Sequence, residues 1–190
     1  IESGKWIPHG REKGKYKIKK IQLKISKEEM LEMLETVKDP EVPVLSIIDL
    51  GIVRQVEWIA GENEKGFWKI TITPTYSGCP AMDMISTQIR MTMYAAGIDA
   101  FEISTILSPA WTTEWMTEAG KEKLRAYGIA PPHPLPKHYA VEHSIDAGPV
   151  ACPRCLSAHT HRISEFGSTA CKALYQCDDC KEPFDYFKCH

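Results

Sequence analysis

A chain of 190 residues has room for one core of about 100 to 150 residues and one small additional module. With 43% hydrophobic and 25% charged residues it is not a disordered tract, and no apolar run approaches the roughly 18 residues that a membrane helix needs. A formal net charge of −2 removes any global electrostatic case for nucleic acid or an anionic membrane as partner.

Residues 1–25 nevertheless carry eight Lys or Arg against two Glu, so this end reads as a basic arm. A solvated terminus is the ordinary meaning, and docking onto an acidic partner is the sharper one. The chain opens at Ile1 rather than Met, as a trimmed sequence would, and shows no apolar signal-peptide core. Seven cysteines is an odd number, and four of them form two C-x-x-C pairs. Without a secretion signal that pattern points to metal rather than disulfides, and to the cytoplasm.

The expected α+β domain spans residues 26–128. Ser26-Lys27-Glu28-Glu29 has capping-box spacing, and Met30, Leu31, Leu34 and Val37 follow at helical intervals, predicting a helix to about Val37. Pro40 and Pro43 then enforce extended backbone and leave Asp39 and Glu41 on a loop, as helper ligands, acid–base groups or plain surface charge. After a break at Asp49-Leu50-Gly51, residues 52–59 read as a strand joined through the hairpin loop 61–66 to a second strand over 67–73.

Pro74 ends that strand, Gly78 permits a turn, and Pro80 suits a first helical position, so Cys79 is expected at a helix N-cap. Unpaired N–H groups and about half a unit of positive charge there should shift the thiol toward thiolate, a nucleophile and soft-metal ligand. A small buried hydrophobe is the competing reading, and a catalytic triad would need His partners folded back from the tail. Met82, Ile85, Ile89 and Met93 share one side of the helix, which stops near Gly97, and a third strand runs from Phe101. Trp111 and Trp115 lie four apart before a charged helix over 117–127. The order predicts a small three-stranded sheet with helices on one face.

Residues 129–150 hold five prolines and three His (His133, His138, His143), and read as a linker that lets two units move. From residue 151 to 190 the pattern is a four-cysteine ribbon: Cys152 and Cys155, twenty-one intervening residues, then Cys177 and Cys180. Four thiolates suit one tetrahedral Zn2+, and iron or an iron–sulfur cluster uses the same donors. Leu156 and Lys181 stand where such knuckles often carry Gly, which predicts some local strain. About forty residues have too little core to fold without metal. Cys171, between the knuckles, is either a buried thiol or a partner of Cys79 at a shared exchangeable metal site. His159 and His161 read as exposed strand residues.

Three stretches, Asp39-Pro-Glu-Val-Pro43, Asp49-Leu-Gly51 and Thr73-Pro-Thr-Tyr-Ser-Gly-Cys-Pro80, resemble the small domain of cytosolic iron–sulfur assembly factors and SufT-like maturation proteins. Residues 107–113, 164–175 and 182–187 resemble one branch, the PaaD-type subunit of phenylacetyl-CoA epoxidase systems, with coverage from about residue 26 to 188. This resemblance implies an accessory protein that assists iron or iron–sulfur cluster insertion into a multicomponent oxygenase in aerobic phenylacetate degradation, without performing the epoxidation. It implies Cys79 as the motif cysteine, Asp39, Glu41 and Asp49 as loop acids, and Cys152, Cys155, Cys177 and Cys180 as ribbon ligands. The expected partners are the oxygenase and reductase subunits or iron–sulfur assembly proteins, with a homodimer also allowed.

The expectation is therefore a two-domain metalloprotein: a front domain offering Cys79, with carboxylates or Cys171, for transient iron or cluster binding, and a zinc ribbon as rigid tail. Two other classes stay open. One is a structural subunit of the oxygenase complex with no metal-transfer role, the other a thiol enzyme with Cys79 as nucleophile. A nucleic-acid-binding ribbon ranks below them, because ribbon and linker lack a basic stripe.

Overall fold

The computed structural model describes residues 25–61, 66–132 and 150–188. The basic arm up to residue 24, the hairpin tip, the linker histidines, Cys189 and His190 lie outside the described residues. Helix α1 (Lys27–Glu35) begins at the expected capping box: the Glu29 N–H donates to Ser26 Oγ at 3.1 Å and the Ser26 N–H to Glu29 Oε2 at 2.7 Å. It buries Met30 and Leu34, while Val37 is buried in the turn that follows rather than in the helix.

Strands β1 (Val53–Ala60) and β2 (Gly66–Ile72) pair antiparallel, with Trp58 opposite Trp68. A parallel partner needs a long crossover, and α2 (Ala81–Ala95) supplies it, bringing β3 (Phe101–Thr105) beside β2 in the order β1-β2-β3. Ile85, Ile89 and Met93 of α2 join Val56, Trp68, Ile70 and Ile72 of the sheet and Met30 and Leu34 of α1 in one buried cluster, so the methionine stripe is core on its Met93 side. Gly97 ends the turn after α2 at a φ of +75°.

Helix α3 (Glu118–Ala126) is capped by Thr117, whose hydroxyl accepts from the Gly120 N–H at 2.9 Å. Trp111, Trp115 and α3 lock onto the break at residues 49–51. The Trp111 indole N–H donates to the Leu50 carbonyl at 2.8 Å, and the Arg54 guanidinium lies 3.4 Å above the Trp115 ring. Gly51 has a φ of +66° and lies so close to the Trp115 carbonyl that any Cβ there would overlap it.

The tail is a four-stranded sheet in the order β4-β7-β6-β5, from β4 (Ile129–Ala130), β5 (Thr160–Ser164), β6 (Lys172–Cys177) and β7 (Pro183–Phe187). Residues 129 and 130, expected to open a linker, instead pair with Asp185 and Tyr186 of β7. Two residues carry no periodicity of their own, and their partner strand lies more than fifty positions away in the chain. The two units also share core: Phe187 and Cys171 belong to the front cluster, and the Phe187 ring packs edge-on against Trp111 at 6.2 Å. A freely hinged pair is therefore not what the described residues form. Among them, no helix is long and apolar enough to cross a membrane.

Candidate metal-handling sites

The backbone turns after β2 so that Pro80, not Cys79, is the N-cap of α2, and Cys79 precedes it with its N–H on the Tyr76 carbonyl at 3.1 Å. The Ala81 N–H at the helix start still reaches the Cys79 sulfur. The expected shift toward thiolate does not follow. Burial pushes the half-buried thiol up, the charges of Glu41 and Asp39 push it further, and the hydrogen bonds from Ala81 and Tyr76 do not compensate. One helix terminus is outweighed by desolvation plus two carboxylates.

Glu41 is the centre of this group. Cys171, buried and brought in from the tail, places its Sγ 3.4 Å from Glu41 Oε2 and 3.0 Å from Thr169 Oγ1. Burial, reinforced by the Glu41 charge, holds the Cys171 thiol at about 12. Tyr76 is likewise pushed up to about 12, by burial and then by the charges of Cys79, Glu41 and Cys171, so these groups share one electrostatic neighbourhood. Asp39 accepts the N–H groups of Glu41 and Val42 at 2.8 Å each through Oδ1, which shapes the loop presenting Glu41. Its carboxyl is raised by burial, against those two hydrogen bonds.

Asp49 is not brought to this group. Its Oδ2 accepts from Lys123 Nζ at 2.6 Å and the Ser46 N–H at 2.9 Å, and its Oδ1 accepts from the Thr117 hydroxyl at 3.2 Å. Burial alone would raise this carboxyl, but the hydrogen bonds from Lys123 and Ser46 hold it below the usual value. Its lone pairs are committed to docking α3, so it is a framework residue rather than a ligand beside Cys79. Residue reasoning did not single out Tyr76, Thr169 or Lys172. Tyr76 lies inside the Thr73–Pro80 motif; Lys172, a buried lysine directly after Cys171, carries no pattern that marks burial.

In the tail, the sulfurs of Cys152, Cys155, Cys177 and Cys180 all lie within 4.8 Å of one another, with 3.8 Å between Cys152 and Cys180 and 3.5 Å between Cys155 and Cys177. Four sulfurs on one tetrahedral ion with bonds of about 2.3 Å stand about 3.8 Å apart. The donor set therefore fits a single ion, whereas a cluster interposes its own sulfides and spreads the cysteines. The knuckles are formed as such: the Leu156 N–H donates to the Cys152 carbonyl at 2.9 Å and the Lys181 N–H to that of Cys177 at 3.0 Å. Leu156 and Lys181 take the φ values of +63° and +64° expected where Gly is usual. Backbone N–H groups of Cys180 and Asp179 draw the Cys177 thiol down to about 7, suited to a bound thiolate. His159 and His161 are exposed and face Asp179 and Asp178.

Two family models match: residues 27–97 fit the iron–sulfur cluster assembly protein family, and residues 136–188 fit the PaaD zinc beta ribbon domain. A protein of Escherichia coli (strain K12), named provisionally as one of the subunits of 1,2-phenylacetyl-CoA epoxidase, is 52% identical over 163 residues, covering 85% of this chain and 92% of its own. An Fe-S protein maturation auxiliary factor of Porphyromonas gingivalis (strain ATCC BAA-308 / W83) is 35% identical over 94 residues, covering 49% of this chain and 85% of its own. A crystal structure of a domain of unknown function, DUF59, from Bacillus anthracis is 29% identical, covers 51% of this chain and 89% of its own, and superposes with a TM-score of 0.45.

Proposed function

Because the chain belongs to the family of that 1,2-phenylacetyl-CoA epoxidase component, we propose that it is an accessory maturation subunit of a phenylacetyl-CoA epoxidase, receiving iron or an iron–sulfur cluster as cargo and passing it on. The observation that carries this reading is the meeting of Cys171, brought in from the tail, with Glu41 at 3.4 Å, in a neighbourhood whose carboxylates also act on the thiol of Cys79 in the loop before α2. Both thiols are protonated at neutral pH, because burial and neighbouring carboxylates raise them. Such thiols are poor nucleophiles, which disfavours a thiol enzyme and suits a carrier whose thiols ionise only as a cation arrives. Two thiols and a carboxylate hold iron less firmly than a closed four-cysteine cage, as release requires.

The tail cysteines would hold Zn2+, which supplies no redox chemistry and closes the ribbon. Cargo is exchanged with the oxygenase and reductase subunits or with iron–sulfur assembly proteins. Anaerobic purification with elemental analysis and absorption spectra tests the proposal. Cys79→Ser should keep the far-UV circular dichroism of the native chain, lose bound iron and leave the epoxidase short of metal. A fully loaded, active epoxidase matured only by that variant, with the chain still co-purifying in stoichiometric amount, would replace the transfer role with a structural one.

A further inference from the structure

β6 carries a metal-ligand cysteine at one end and borders the front site at the other. Cys177 closes it at the four-sulfur cluster, and Cys171 and Lys172 stand at its start, about 20 Å away along an extended strand. Cys171 meets Glu41, and its carbonyl accepts the Lys188 N–H at 3.0 Å. Lys172 is buried beside it, with its amine 3.8 Å from the Asp185 carboxylate and 3.5 Å from the Glu41 carbonyl. β7 starts three residues after Cys180, pairs along β6 from Gln176–Pro183 to Lys172–Phe187, and ends with Phe187 in the front core. Both strands are thus fixed by the knuckles at one end and inserted into the front domain at the other. Among the described residues, the ribbon's own buried cluster has eight members, two of them the ligands Cys152 and Cys177. That is too little to hold β6 and β7 in register without the ion.

We propose that closure of the four-cysteine knuckles on their ion controls assembly of the front site: with the knuckles closed, β6 and β7 deliver Cys171 to Glu41, and with them open Cys171 withdraws and leaves Cys79 with the 39–42 loop. The ribbon is then a switch on cargo binding, answering to zinc supply, rather than a passive tail. The consequence for cargo rests on the reading of Cys79 and Cys171 given above; the withdrawal of Cys171 does not.

The test uses the full chain, zinc-loaded, chelator-treated under anaerobic reducing conditions, and chelator-treated with Zn2+ restored. Short pulses of iodoacetamide are followed by mass spectrometry of each cysteine, with amide exchange read across α1 and α2 on the same samples. Chelation should raise the labelling rate of Cys171 on the order of tenfold or more, leave α1 and α2 protected, and reverse with Zn2+. Labelling of the four tail ligands with Cys171 still protected would overturn the proposal. So would exchange of α1 and α2 at the rate of an unfolded chain, since the ion would then hold the whole fold instead of switching one site. Ferrous iron bound per chain separates the two readings. No iron on the zinc-loaded protein, with Cys171 labelling still zinc-dependent, would remove the cargo reading and support the switch; iron binding unchanged after chelation would overturn the control of cargo.

Discussion

Asp49 offers the sharpest separation between framework and function. In Asp49→Ala the carboxylate is removed, and the Ser46 N–H and the Lys123 amine, which both donate to its Oδ2, lose their shared acceptor. A hydrogen bond to a charged group contributes about 1.5 to 3 kcal/mol, and the buried Ser46 amide has no water to replace it. Lys123 is about one-third exposed and rehydrates, so its loss adds only about 1 kcal/mol. The expected cost is about 2 to 4 kcal/mol, a large share of the roughly 5 to 15 kcal/mol that holds a domain together.

Urea unfolding followed by tryptophan fluorescence should show this as an earlier midpoint, and thermal unfolding as a drop of about 5 to 15 °C. The pH dependence has a fixed sign. The native carboxyl lies below its unfolded value of 3.8, so its contribution is present above that pH and is lost as the pH falls through the lower native value. The acid limb of the stability profile should therefore flatten in the variant. Iron bound per folded chain should be unchanged. A variant with the native midpoint and no bound iron would refute the assignment of Asp49 to the framework.

Phe187→Ala should cost about 3 to 5 kcal/mol, since the ring is 2% exposed and packs on Trp111, and chemical denaturation should show tail and front domain destabilised together rather than the tail alone. Gly51→Ala combines a positive φ with overlap on the Trp115 carbonyl, so a loss of at least about 2 kcal/mol is expected; native-like thermal stability would contradict the contact. Loading of cargo must displace protons from thiols held above their ordinary values. Apparent iron affinity should therefore rise with pH, by up to about 100-fold per unit if both Cys79 and Cys171 ionise and about tenfold if only one does, and competition titrations between about pH 6.5 and 7.5 distinguish the two.

Local patterns were legible without coordinates wherever chemistry and spacing coincide within a few residues. The capping box at Ser26, the apolar side of α2, the strand–loop–helix around Cys79 and the two C-x-x-C knuckles each encode their own geometry, because hydrogen-bonded turns and side-chain periods repeat over short range. The resemblance of residues 39–43 and 73–80 to iron–sulfur assembly proteins was also written in contiguous residues.

Three pairings were decided only by the fold. Cys171 meets Glu41 across 130 positions, Asp49 meets Lys123 across 74, and β4 finds β7 although two residues carry no strand signal. The same holds for the ionisation of Cys79. A helix start is visible in sequence and favours thiolate, but desolvation and the Asp39 and Glu41 charges depend on how deeply the loop is packed and what lies opposite it. Short-range hydrogen bonding is inherited from neighbouring residues, whereas burial and electrostatic environment belong to whichever distant segments the tertiary structure brings together.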